Sequence, residues 1–190
     1  KDKRFDELYL LPAAQTKDKD AIVPEQMEKI INELKQDFDY VLIDCPAGIE
    51  QGFKNAVAGA DRAIVVTTPE ISAVRDADRI IGLLEPYEID QPKLVINRIR
   101  PKMMKQGDML DVDEIVTILG IDLLGIVPDD EHVIKSTNQG EPAVLNPDTK
   151  AAIAYRNIAR RILGDSVPLI SLEEETGVLS RVKRLLGFRS

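Results

Sequence analysis

Cysteine and histidine occur once each in these 190 residues, as Cys45 and His132, and tryptophan is absent. One cysteine excludes an internal disulfide and a clustered-thiolate metal site. It suits a reducing compartment, with packing as its role. One histidine argues against imidazole metal sites and a serine–histidine–aspartate relay. Aromatics are only 4% of the chain, too few for the stacking platform of a single-stranded nucleic-acid binder. Lys and Arg number 25 against 33 Asp and Glu, a net charge of −8. A nucleic-acid binder usually shows the opposite balance, so no specific nucleic acid is expected as a partner. No apolar run approaches the roughly 20 residues of a membrane-spanning helix. Nor is there a Gly-Lys-Ser or Gly-Lys-Thr loop to cradle phosphates. Either the chain is not a phosphate-loop protein, or the part carrying that loop lies before Lys1.

What is present is a soluble globular mix, 44% hydrophobic and 31% charged, long enough for one α/β domain with a real core. The organising stretch is 39–50. Tyr40 to Ile43 is a short apolar run of strand formers, too short for a convincing helix. Asp44 falls where that strand would end, and ligands of open parallel sheets bind at the carboxyl ends of strands. A carboxylate there is placed to hold Mg²⁺ on a nucleotide phosphate. Pro46 and Gly48 then turn the chain sharply.

Further strands are expected at 8–11, 63–68, 93–97 and 121–127. Helices are expected from Pro24, through Phe53 and Val57, and over 70–84, 111–119, 131–137 and 149–163. Strands alternate with helices and mostly lack polar alternation. This predicts an α/β fold, a mostly parallel sheet with helices on both faces. Polar groups recur at strand ends: Asp44, Thr67 and Thr68, Asn97 and Arg98, then Pro128, Asp129 and Asp130. In a parallel sheet these share one edge, which predicts a ligand crevice there. The stretch 98–108 is expected to be a loop, basic at Arg98, Arg100, Lys102 and Lys105. It reads either as a solvated connection or as a surface near phosphate or a partner.

After Gly164 the character changes. Residues 165–176 include Pro168 and the acidic run at 173–175, and read as a linker. Residues 177–190 carry Arg181, Lys183, Arg184 and Arg189 with no acid. Of the net −8 this tail supplies +4, which leaves −12 on the rest. On a helical wheel Val178, Leu179, Val182, Leu185 and Leu186 fall on one side, with Phe188 near its edge. Ser180, Lys183 and Arg184 fall opposite. A basic amphipathic helix of this kind suits an anionic bilayer surface; the alternative is a last helix packed on its own domain. Its shortness makes it marginal as a helix in water, so one copy should bind lipid weakly and two copies far better.

These stretches together resemble the MinD family of ATPases, which position the bacterial division site. The resemblance rests on residues 8–20, 44–50, 69–78, 107–110 and 136–142 and on the basic terminus, and covers nearly the whole chain. It implies a P-loop NTPase fold of the SIMIBI type lacking its first strand and phosphate loop over 1–164, an acidic linker over 165–176 and a membrane-targeting helix over 177–190. It implies ATP and Mg²⁺ as ligands, with Asp44 associated with the metal, in this family through water. Pro46, Ala47 and Gly48 would belong to the second switch, and Asn97, Arg98, Pro128, Asp129 and Asp130 to the adenine end. Arg75, Asp76 and Asp78 would form the face that meets MinC or another regulator; without the resemblance they read as a solvated helix face. It further implies an ATP-dependent homodimer, a MinE-like or other polar regulator, and a cytoplasmic protein bound reversibly to the inner membrane face. The membrane residues would be Val178, Leu179, Arg181, Val182, Lys183, Arg184, Leu185, Leu186 and Phe188. The fragment alone is expected to be inactive. The alternatives are a ParA-type partition ATPase, which the acidic body disfavours, a flagellar-number ATPase, and a non-enzymatic lipid- and partner-binding module.

Overall fold

The computed structural model describes residues 1–12 and 22–172. Residues 13–20 of the quoted motif, the acidic run and the basic tail lie outside that range. The chain forms two compact units, Lys1–Asp61 and Arg62–Ser190.

The first unit is built on two helices. Helix α1, Pro24–Asp37, starts on the proline whose fixed φ suits the first helical position. The Gln26 side chain reaches back 3.3 Å to accept from the Val23 N–H, one of the donors a helix start leaves open. Its inner face buries Ile31 against α2, Gln51–Val57. Gly59, just past α2, permits that contact, because a Cβ there would come within 2.7 Å of Ile31 Cδ1. The Asn55 amide donates to the Ile22 carbonyl at 2.8 Å, and Lys35 pairs with Asp61 at 2.7 Å.

Neither strand expected in this unit forms. Residues 8–11 and 40–43 are irregular, with Leu10 82% and Leu42 84% exposed. A strand is stable through its ladder to a neighbour. Among the described residues no strand pairs with either run. Leu8 makes backbone hydrogen bonds with Asp2 and Phe5, and the Tyr9 ring meets that of Phe38 edge-on, 5.2 Å between centroids.

The second unit does form the expected layered α/β structure. Its parallel sheet has the order β1 (Ile64–Thr67), β2 (Lys93–Ile99), β3 (Asp122–Pro128). Helix α3, Ile71–Leu84, follows β1 and packs on it, and α7, Lys150–Ile162, packs on β3. Residues alternate across a strand, and Val65 stands beside Leu94 as Val66 stands beside Val95. Val65 and Leu94 are buried on one face, while Val95 joins Leu124, Val127, Ala151, Ala154 and Ile158 in the α7 cluster. At β2 and β3 both faces are therefore buried, one of them under α7. At β1 they are not: Ile64 and Val66 are apolar yet open, Val66 by 60%.

Segment 98–108, expected to be a loop, holds a short helix, α4, Pro101–Gln106. Pro101 sets its first turn, and Gly107 at φ +78 supplies the left-handed residue that ends it. Helix α5, Val112–Leu119, opens on a reciprocal cap in which Asp111 accepts from the Glu114 N–H at 2.7 Å and Glu114 from the Asp111 N–H at 2.9 Å. Helix α6 is Glu131–Asn138. Near the end of α7, Arg161 donates to three carbonyls: Val167 at 2.8 Å, Leu124 at 2.9 Å and Pro168 at 2.6 Å. Ile170 packs on the α7 cluster beyond them. Gly125 keeps room for this arrangement. A Cβ there would overlap Ile158 and lie 3.5 Å from an Arg161 nitrogen.

Candidate functional site

The parallel sheet carries the ends of β1, β2 and β3 to one edge. Of the predicted site residues, Asn97, Arg98, Pro128, Asp129 and Asp130 meet there. The ladder between β2 and β3 slips between Ile96 and Ile99 and resumes with Ile99 opposite Pro128. Inside the slip Arg98 takes a left-handed conformation, φ +57. Such a residue costs roughly 1–3 kcal/mol and persists only where its surroundings dictate it. The Asn97 side chain accepts from the Arg98 N–H at 2.9 Å. Beyond the slip, the Asp129 N–H donates to the Ile99 carbonyl at 2.9 Å, and Arg100 Nε donates to Asp129 Oδ2 at 2.6 Å.

Asp130 is the best-connected carboxylate of this edge. Its Oδ1 caps α6 by accepting from the His132 N–H at 2.9 Å, and lies 2.9 Å from His132 Nδ1. Its Oδ2 accepts from the Ala151 N–H of α7 at 3.3 Å. Burial works against its charge, but the hydrogen bonds from His132 and Ala151 outweigh it and hold the carboxyl below its ordinary value. One side chain thus fixes the end of β3, the start of α6 and the start of α7.

A shallow cavity of about 280 Å³ opens here, lined by Pro128, Asp129, Asp130, Glu131, His132 and Lys150. Three carboxylates against one lysine line it, a balance that disfavours a polyphosphate there. A larger depression, about 460 Å³, lies along α5 and is rimmed by Asp111, Asp113 and Glu114. Those acids would repel a polyphosphate, and no predicted site residue lines it.

The remaining candidates lie elsewhere. Asp44, Pro46, Ala47 and Gly48 belong to the first unit, where all four are exposed on an irregular segment. Among the described residues no group of three or more His, Cys, Asp or Glu is placed to hold a metal ion. Mg²⁺ on a nucleotide does not need one, since it keeps waters and takes one or two carboxylates along with the phosphates; Asp44 fits that demand. The neighbouring Cys45 is exposed rather than packed as the composition led one to expect; partial desolvation, and then the Asp44 carboxylate, push its thiol up. Arg75, Asp76 and Asp78 are exposed on α3. The nine tail residues fall outside the described range.

Sequence reasoning missed Arg100 as a partner of Asp129, the double use of Asp130, and Lys150 beside the cavity. An Asp directly before a helical run is a readable cap signal. The Arg100–Asp129 pair spans 29 positions, and nothing local announces it.

A parallel sheet flanked by helices, with a ligand-sized opening at the carboxyl ends of its strands, is the frame of a nucleotide-binding α/β protein. A family profile described as ParA, NUBPL iron-transfer P-loop NTPase, matches residues 18–163. The class is therefore that of ParA-type P-loop NTPases. Within it the chain is 67% identical to the septum site-determining protein MinD of Bacillus subtilis, over 100% of this chain and 72% of that protein. The fold is similar to that of MinD in the Aquifex aeolicus MinC:MinD cell division complex (44% identity, TM-score 0.77), over 82% of this chain and 64% of that one. It is also similar to the Pyrococcus horikoshii septum site-determining protein MinD complexed with Mg-ADP (28% identity, TM-score 0.66), over 73% of this chain and 56% of that one. The chain belongs to the MinD family. It spans just under two thirds of the Aquifex protein's length.

Proposed function

We infer that the full-length protein carrying this chain is an ATP-driven switch that places the division site. The carrying observation is 67% identity, across the whole chain, to a septum site-determining protein. The adenine end of the site is formed by Asn97, Arg98 and the Pro128–Asp130 edge. Asp44 serves the Mg²⁺ that accompanies the phosphates, and Pro46, Ala47 and Gly48 form the segment that responds to their loss. A strand bearing a phosphate loop would complete the site.

With ATP bound the protein dimerises and presents two basic tails to an anionic membrane. Linking two weak sites multiplies their affinity by roughly 10²–10⁴. Hydrolysis separates the subunits and frees the membrane. Arg75, Asp76 and Asp78 form the surface offered to a MinC-type inhibitor, a reading supported by the Aquifex relative having been solved with MinC. A MinE-like or other polar regulator would act on the same cycle. Among the described residues no helix is long and apolar enough to cross a membrane. The acidic balance, −8 overall, weighs against a DNA-partition role.

The test is sedimentation of the full-length protein with anionic vesicles, with and without ATP. The wild type should pellet with ATP, and deletion of 177–190 should abolish it. Asp44→Ala should lower Mg²⁺-dependent hydrolysis. Equal pelleting after the deletion would refute the membrane role, and unchanged turnover would remove Asp44 from the site.

A further inference from the structure

We propose that Arg100 is a positioning residue for the nucleotide base, acting through Asp129 rather than by touching the ligand. The inference rests on the adenine-end reading above.

Its starting point is the strained conformation of Arg98. A left-handed arginine at a strand end is unfavourable by itself, and the register of the ladder shifts around it, between Ile96 and Ile99. Three contacts close the slip. The Asn97 side chain takes up the Arg98 N–H on one side. On the other, the Asp129 N–H bonds the Ile99 carbonyl, and the Arg100 guanidinium holds the Asp129 carboxylate at 2.6 Å. Arg100 thus ties the residue after the slip to the residue after Pro128. The end of β3, which lines the cavity, is fixed to the end of β2 at that point.

The ion pair is partly exposed, Arg100 more than Asp129, and exposed pairs contribute little to global stability. Its consequence is local. It selects one geometry of Asn97, Arg98 and the Pro128–Asp130 edge from those a slipped ladder would sample. Asp129 is therefore engaged by Arg100 and is not free to meet the base with its carboxylate. The basic character of 98–108 divides accordingly. Arg100 is committed to the strand end, and Lys102 and Lys105 remain on the exposed face of α4.

The experiment uses the full-length protein and three readouts. In the nucleotide-free state, amide exchange at Asp129 should quicken in Arg100→Ala and return toward wild type in Arg100→Lys, which keeps the charge. Affinity for a fluorescent ATP analogue should fall about three- to tenfold in Arg100→Ala. KM for ATP should rise by a similar factor, with the effect on KM much larger than that on kcat. Adding Asp129→Asn to Arg100→Ala should produce little further loss, because both changes break one contact. Unchanged analogue affinity and KM in Arg100→Ala, with quickened exchange, would overturn the proposal and leave the pair a local brace. A wild-type protein that binds no ATP analogue would instead refute the adenine-end reading.

Discussion

Replacing Asp130 tests whether one carboxylate holds the site edge together. In Asp130→Ala, α6 loses its cap and the Ala151 N–H of α7 loses its acceptor. A lost cap costs about 1 kcal/mol, and a lost bond to a charged acceptor about 1.5–3 kcal/mol. The carboxylate is 13% exposed and borders an open cavity, and the Ala151 bond is long at 3.3 Å. Both hold the sum to about 2–3 kcal/mol. For a protein of this size that is a fall in melting temperature of roughly 4–12 °C. Asp130→Asn keeps one oxygen for the His132 N–H but turns an amide toward a second donor, so about 1 kcal/mol is expected. The sign with pH follows from the lowered carboxyl pKa. The wild-type advantage over the Asn variant is fully present above about 3.9, the unfolded value, and disappears as pH falls through the lower folded value. Urea unfolding of nucleotide-free protein at pH 7 and at the acid end would measure both. A change under 0.5 kcal/mol in Asp130→Ala, or equal losses in the Ala and Asn variants, would refute the double-cap account.

Two other substitutions probe packing and local charge. Gly125→Ala should cost about 1–3 kcal/mol from overpacking against Ile158; in denaturant titrations the loss should shrink when Ile158→Ala is added, since that removes the opposing atoms. Cys45 is open to solvent, so its alkylation rate reports thiolate content rather than access; Asp44→Asn should speed the reaction with iodoacetamide at neutral pH, because partial desolvation and then the Asp44 charge hold the thiol pKa up, and no change in rate would contradict the charge contribution.

The elements legible in the sequence are those whose stability is settled nearby. Helices α3, α5 and α7 carry their apolar face, their caps or both in consecutive residues. Strands β1 to β3 are apolar runs that find one another within the second unit. The runs at 8–11 and 40–43 are as apolar as those strands, but a strand is a property of a pair, and no partner is present among the described residues. Helix α4 was hidden by its charge: the lysines that suggested a solvated loop sit on its open side, while Pro101 and Gly107 carried the readable start and stop. At the site, the convergence of β2 and β3 ends follows from the parallel pattern. The slip at Arg98 and its tie to Asp129 do not, because they depend on the register of strands 29 positions apart.

Arg161 bears on where this protein can be cut and rejoined. A planar fork serving three carbonyls at once has no substitute in a lysine, and it binds Val167 and Pro168 as firmly as it binds Leu124 of β3. A graft that moves the terminal basic stretch onto another carrier, with the junction placed at Gly164, would strip Val167 and Pro168 from the donor body and leave the guanidinium only the Leu124 carbonyl. Among the described residues Ile170 still packs on the α7 cluster, so the junction belongs beyond it. A chimera cut after Leu172 keeps all three acceptors of Arg161 with their donor.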